Sequence, residues 1–143
     1  MSNYKDMVKK ASPNTTHVKN CVLAFLVGGF ICALGQGLLE GYTALKIEEE
    51  NAKILVSVTL IFLAALLTGL KVFDNIAKHA GAGTLVPITG FANSISAPAI
   101  EFKNEGYILG VGAKMFTIAG PVIVYGTVAS VVYGIIYWVT TLF

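Results

Sequence analysis

Apolar residues along this chain gather into long runs, and short charged segments rather than alternating polar positions separate them. From Cys21 to about Tyr42, and from Lys53 to about Phe73, the sequence is nearly unbroken Leu, Ile, Val, Ala, Phe and Gly. Each run has the roughly 20 residues with which a helix crosses a hydrocarbon core about 30 Å thick. The pattern therefore predicts membrane-spanning helices, not the one-sided helices of a soluble bundle. Between them lies an acidic connection, Glu40 followed by Lys46-Ile47-Glu48-Glu49-Glu50, which reads as a solvated loop or capping segment.

The third apolar region, from Ala80 to Pro98, is interrupted. Gly81, Gly83 and Gly90 loosen its backbone, and Pro87 and Pro98 each remove a donor and disfavour helix in the preceding residue. Thr84, Thr89, Asn93, Ser94 and Ser96 add polar side chains. In lipid, such backbone persists only where protein buries it or where it lines a wet cavity, so the stretch is the candidate site. A charged turn, Glu101 to Glu105, follows, and then a largely apolar run of 37 residues from Tyr107 to Phe143. Gly120-Pro121 is expected to divide them into a short piece, 107–119, carrying Lys114, and a full span from Pro121. Two short pieces, about 84–100 and 107–119, flanking a charged turn suggest discontinuous helices whose ends point at a midplane site. The alternative is two ordinary spans joined by a tight loop.

The fold expectation is an all-α polytopic integral membrane protein with about four hydrophobic crossings and a broken or re-entrant element at about 80–119. Residues 1–20 would form a polar basic tail, solvated or with a short surface helix at 3–11, and residues 21–143 a single transmembrane domain. Composition agrees: 55% of residues are hydrophobic and 13% charged, with mean hydropathy +0.74. Soluble domains carry about 25% charged residues. The long first run lacks a cleavage site and reads as an uncleaved span. Lysines gather in the tail and around residues 71–79, which would put those segments in the cytoplasm.

Net charge is +2, too small to suggest nucleic acid, and there is no Arg to clamp an anion bidentately. Cys21 and Cys32 stand eleven positions apart on one predicted helix, about 16 Å of rise, beyond disulfide reach. They read as small packing residues. No nucleophile–base set and no metal-ligand spacing occurs, so neither catalysis nor a resident metal or cofactor is expected. Small residues at helical spacing point to close helix packing: Gly28 and Gly35 in the first span, Gly126, Ser130 and Gly134 in the last. Gln36 is an amide inside the first span, suited to interhelical hydrogen bonding or to a solute path.

The strings NCVLAFLVGGFICALGQG (Asn20–Gly37), AGAGTLVPITGFANS (Ala80–Ser94) and EGYILGVGAKMFTIAGPVIVYG (Glu105–Gly126) resemble the stage V sporulation protein AC/AEb family of endospore-forming bacteria. The polar extension before the first span is similar to the longer, AC branch. The resemblance implies a channel component for dipicolinate, with calcium, in the inner spore membrane, with membrane tension as a candidate stimulus and sister subunits of the same operon as partners. Gln36, Gly81, Gly83, Thr89, Gly90, Asn93 and Ser94 would then line the solute path. Lys114 would attract the anion or simply snorkel to the interface, and Glu101 and Glu105 would meet calcium at the mouth. Four helices enclose little, so a homo- or hetero-oligomer in lipid is expected. The rival expectation is a non-conducting membrane scaffold that recruits partners.

Overall fold

A computed structural model describes residues 16–142, together with Met7. Helix α1 (His17–Ala44) and helix α2 (Glu49–Gly69) form an antiparallel pair. Two short helices follow, α3 (Phe73–Ala80) and α4 (Ala82–Leu85), then α5 (Ile88–Glu101). A 3-10 turn at Lys103–Glu105 and a π turn at Tyr107–Gly112 lead into α6 (Ala113–Thr141). Three helices among the described residues are long and apolar enough to cross a membrane: α1, α2 and the continuous segment Tyr107–Thr141.

Both long hairpin helices end by the same device. The chain turns at Lys46 and at Lys71 with φ of 61° and 60°, the left-handed conformation that usually falls to Gly after a helix. Behind each, an amide reaches back to the last turn: Ile47 N–H donates to Tyr42 O at 3.3 Å and Val72 N–H to Leu67 O at 2.9 Å. Helix α2 opens with Glu49 and Glu50, charges that suit the positive end of a helix dipole, and Glu49 pairs with Lys53 at 2.7 Å. Across the α1–α2 seam Tyr42 and Thr59 share a hydrogen bond of 2.8 Å, and Gly35 lets Leu60 and Val56 approach.

The broken element is a re-entrant hairpin. Gly81, with φ +51° and ψ −121°, a conformation open to Gly alone, redirects the chain from α3 into α4. Helix α4 packs along α1: a side chain at Gly83 would meet the Ala24 Cα at 2.9 Å and overlap its carbonyl. Val86 and Pro87 then turn beside Gly29 and Cys32, about 22 Å along α1 from His17 at 1.5 Å per residue. Helix α5 returns parallel to α2, with Thr89 near Ala64, Asn93 at Thr68, and Ala97 and Glu101 at the level of Lys71. Gly90 is buried under the carbonyls of Thr84 and Leu85, and no larger residue fits there. Where α2, α3 and α5 meet, Ala64, Phe73 and Ala92 form the core, flanked by Leu67 and Ala77. At 14 residues, about 21 Å, α5 is too short to cross, so the apolar piece 84–100 enters and leaves on one side.

The expected division at Gly120-Pro121 is absent, because α6 runs through Pro121. Only one amide donor is lost there, and membrane helices tolerate that loss. The irregularity lies earlier in the chain, at the π turn, where Val111 N–H donates to Gly106 O at 3.0 Å. Most of the expected tail lies outside the described residues, and His17–Asn20 already belong to α1.

Candidate functional site

Helix α5 gathers most of the polar groups that the sequence places in the third apolar region. Thr68 Oγ1 donates to Asn93 Oδ1 at 2.7 Å, joining α2 to α5. Thr68 is buried, 6% exposed, and Asn93 is half-buried. One turn deeper, Thr89 is 7% exposed, and its Oγ1 has no hydrogen-bond partner. It lies in the first turn of α5, where a threonine has no helical carbonyl four residues behind it. Gly90 N–H donates to Pro87 O at 2.9 Å. Ser94 is satisfied locally, its Oγ donating to Phe91 O at 2.7 Å.

At the α3 side of the molecule this polar line opens into a cavity of about 450 Å³ lined by Thr68, Lys71, Asp74, Ala97, Ile100 and Glu101. Lys71, Asp74 and Glu101 are exposed around it. Two carboxylates and one ammonium at a single mouth can meet both a hard cation and an organic anion. Among the described residues no group of three or more His, Cys, Asp or Glu side chains has metal-holding geometry. Of these lining residues the sequence pointed to Glu101, as a candidate mouth residue together with Glu105, and not to Thr68, Lys71 or Asp74. A lone Thr at the end of an aliphatic run was the available signal for Thr68.

Other expected site residues fall elsewhere. Gln36 is exposed on α1, its Nε2 donating to Glu40 Oε1 at 3.2 Å, away from the hairpin. Gly81 is the hinge into α4, and Gly83 is the contact of α4 with α1. Gly28 faces Gly83 so closely that a methyl group added at Gly28 would lie 3.4 Å from the Gly83 carbonyl oxygen. Lys114 Nζ sits over the Phe102 ring, 4.7 Å from its centroid, close to the charged turn. Glu105 is exposed on the 3-10 turn and does not line the mouth with Glu101. Gly126, Ser130 and Gly134 lie on the free part of α6, where every described residue from Pro121 to Leu142 is exposed. Neither glycine there has an intrachain neighbour within 4 Å of a side-chain position.

Residues 20–136 match the family described as SpoVAC/SpoVAEB sporulation membrane protein. The chain belongs to that family. Stage V sporulation protein AC of Bacillus subtilis (strain 168) is 50% identical to it over 135 residues, which cover 94% of this chain and 90% of the relative. No solved structure matches. Membership of a sporulation membrane family accords with the three apolar helices long enough to cross a bilayer. The matched span takes in α1 through most of α6, and so the whole hairpin and its mouth.

Proposed function

We propose that this chain is a subunit of a conduit for dipicolinate, with calcium, across the inner spore membrane, loading the spore core in sporulation and emptying it in germination. The observation that carries the reading is the polar line on the re-entrant hairpin, from the Thr68–Asn93 pair to the unpartnered hydroxyl of Thr89. Buried polar groups in a short helix ending inside a membrane are costly and mark solute paths. The mouth at Lys71, Asp74 and Glu101 suits the cargo: carboxylates for calcium, an ammonium for the anion. Membrane tension is the proposed stimulus. The protein acts as a passive conduit rather than an enzyme, with its N-terminus and the α3 side in the cytoplasm, where His17, Lys19, Lys71, Lys78, His79 and Lys103 gather.

A single chain has few helices with which to enclose such a path, so sister subunits or further copies would complete it. The free length of α6, with Gly126, Ser130 and Gly134, is the proposed contact. A second reading, a non-conducting scaffold that recruits partners, draws on the largely apolar lining of the crevice between α1 and α2.

Efflux of trapped dipicolinate from liposomes holding the purified chain, with and without hypo-osmotic stretch and calcium, tests the reading. Asn93→Leu and Thr89→Val should cut release several-fold, and Val58→Ala, on the exposed face of α2, should not. Equal release from all three would place the path away from the hairpin. No release from folded, inserted chain would assign conduction to a complex with sister subunits, or favour the scaffold.

A further inference from the structure

Between α1 and α2, roofed by α3 and bounded by the hairpin, lies a half-open crevice of about 410 Å³. Its walls are Leu26, Phe30 and Leu34 of α1, Leu60 and Leu63 of α2, and Phe73 of α3, with other aliphatic side chains behind them. Two hydroxyl residues reach it, and neither presents its oxygen to the open space, although Thr89 Oγ1 is unpartnered. Thr84 Oγ1 donates to Gly81 O at 3.0 Å, and Thr89 Oγ1 is buried from the surface. Water and a dicarboxylate are therefore poor occupants, since each needs several polar partners.

Its opening lies between helices long and apolar enough to cross a membrane. Leu26, Phe30, Leu34 and Leu63 on its lips are 59%, 64%, 47% and 42% exposed, and they belong to membrane-crossing helices. From Leu26 to Leu34 the wall extends about 12 Å along α1. At one end it reaches α3, whose Asp74, Asn75, Lys78 and His79 are exposed at the polar margin. An apolar cavity of about 150 Å³ stays dry and holds a benzene; this crevice is larger, elongated and open to acyl chains.

We propose that the crevice is an acyl-chain site, occupied by one chain of a phospholipid from the leaflet on the α3 side. The chain lies between α1 and α2 and completes the packing of Thr84 and Thr89 at the shoulder of the hairpin. This assignment rests on the membrane location alone and stands apart from the identity of the solute.

Brominated acyl chains, which quench tryptophan on contact, test it in proteoliposomes. The chain has one tryptophan, so a Trp138→Phe background isolates single reporters. Ile31→Trp, on the crevice wall, should be quenched as strongly as Phe62→Trp, on the opposite, exposed face of α2. Val27→Phe, which fills the crevice, should remove most of the quenching at Ile31→Trp and leave Phe62→Trp unchanged. Leu34→Trp gives the same comparison should Ile31→Trp fail to insert. Protection of the wall reporter from quenching would overturn the proposal, because a second copy or closure would then cover the crevice. Quenching unaffected by Val27→Phe would overturn it too, since the lipid would then act from outside.

Discussion

The glycines divide by what surrounds them. Gly83 and Gly90 are pressed against backbone, of Ala24 and of Thr84 and Leu85, whereas Gly29 on α1 meets nothing within 4 Å. Overpacking costs about 1–3 kcal/mol, and backbone, unlike a flexible side chain, has little room to yield. Gly83→Ala should therefore lower the thermal unfolding temperature of the detergent-solubilised protein markedly, and Gly29→Ala should leave it near that of the parent. Similar melting of the two variants would mean that α4 does not seat on α1. The sequence made these glycines legible as breaks, but not as contacts, because the contact of Gly83 depends on a partner helix some sixty positions away and that of Gly90 on how the chain folds back between α4 and α5. For the same reason Lys114 read as a charge within an apolar run, while its partner, the Phe102 ring, became visible only through the turn that brings them together.

At the scale of elements, the hairpin hangs on its link to α2. Thr68 and Asn93 are joined by one side-chain hydrogen bond of 2.7 Å, and α5 packs along α2 above and below it. Interhelical hydrogen bonds in membranes contribute about 0.6 kcal/mol on average. A double-mutant cycle of Thr68→Val and Asn93→Leu, followed by denaturant unfolding in micelles, should return a coupling energy of about that size. Strict additivity would detach Asn93 from Thr68 and free its amide for the solute path. The break was readable at 80–87, where Gly81, Gly83 and Pro87 cluster, but it does not extend to 98 as expected, because α5 runs continuously through Gly90 and Pro98. The break expected at Gly120-Pro121 was not realised, because a single proline in lipid removes one donor without forcing the chain to turn. Helix α5 ends at Glu101, with Phe102 as its cap, and Gly106, with φ +94° and ψ 162°, then ends the 3-10 turn and redirects the chain into the π turn. A lone Gly in a charged turn gives no sequence signal of that strength.

The whole molecule has sides, and the hairpin sets them. With three crossings and one re-entrant element, the start of α1, the α3 segment and the 103–106 turn share one face, and the 45–48 loop and the end of α6 share the other. A fourth full crossing, the alternative to a broken or re-entrant element, would put the end of α6 back on the face of α1's start. The two arrangements separate in a cysteine-accessibility experiment. In a Cys21→Ser, Cys32→Ser background, single changes Lys78→Cys, Asn104→Cys, Glu48→Cys and Leu142→Cys are labelled with a membrane-impermeant maleimide in sealed, oriented vesicles. Lys78→Cys and Asn104→Cys should label together, and Glu48→Cys and Leu142→Cys should label only from the opposite side. Labelling of Leu142→Cys with Lys78→Cys would require residues 88–101 to cross completely. That cannot be done by a 14-residue helix of about 21 Å without thinning a hydrocarbon core of about 30 Å. The same experiment bears on α6: Tyr107–Thr141 spans about 52 Å as a straight helix. Such a length exceeds the core, so the helix must tilt, bend or extend beyond the bilayer, and protection of Leu142→Cys from both sides would mean that its free end remains buried in lipid or in a partner.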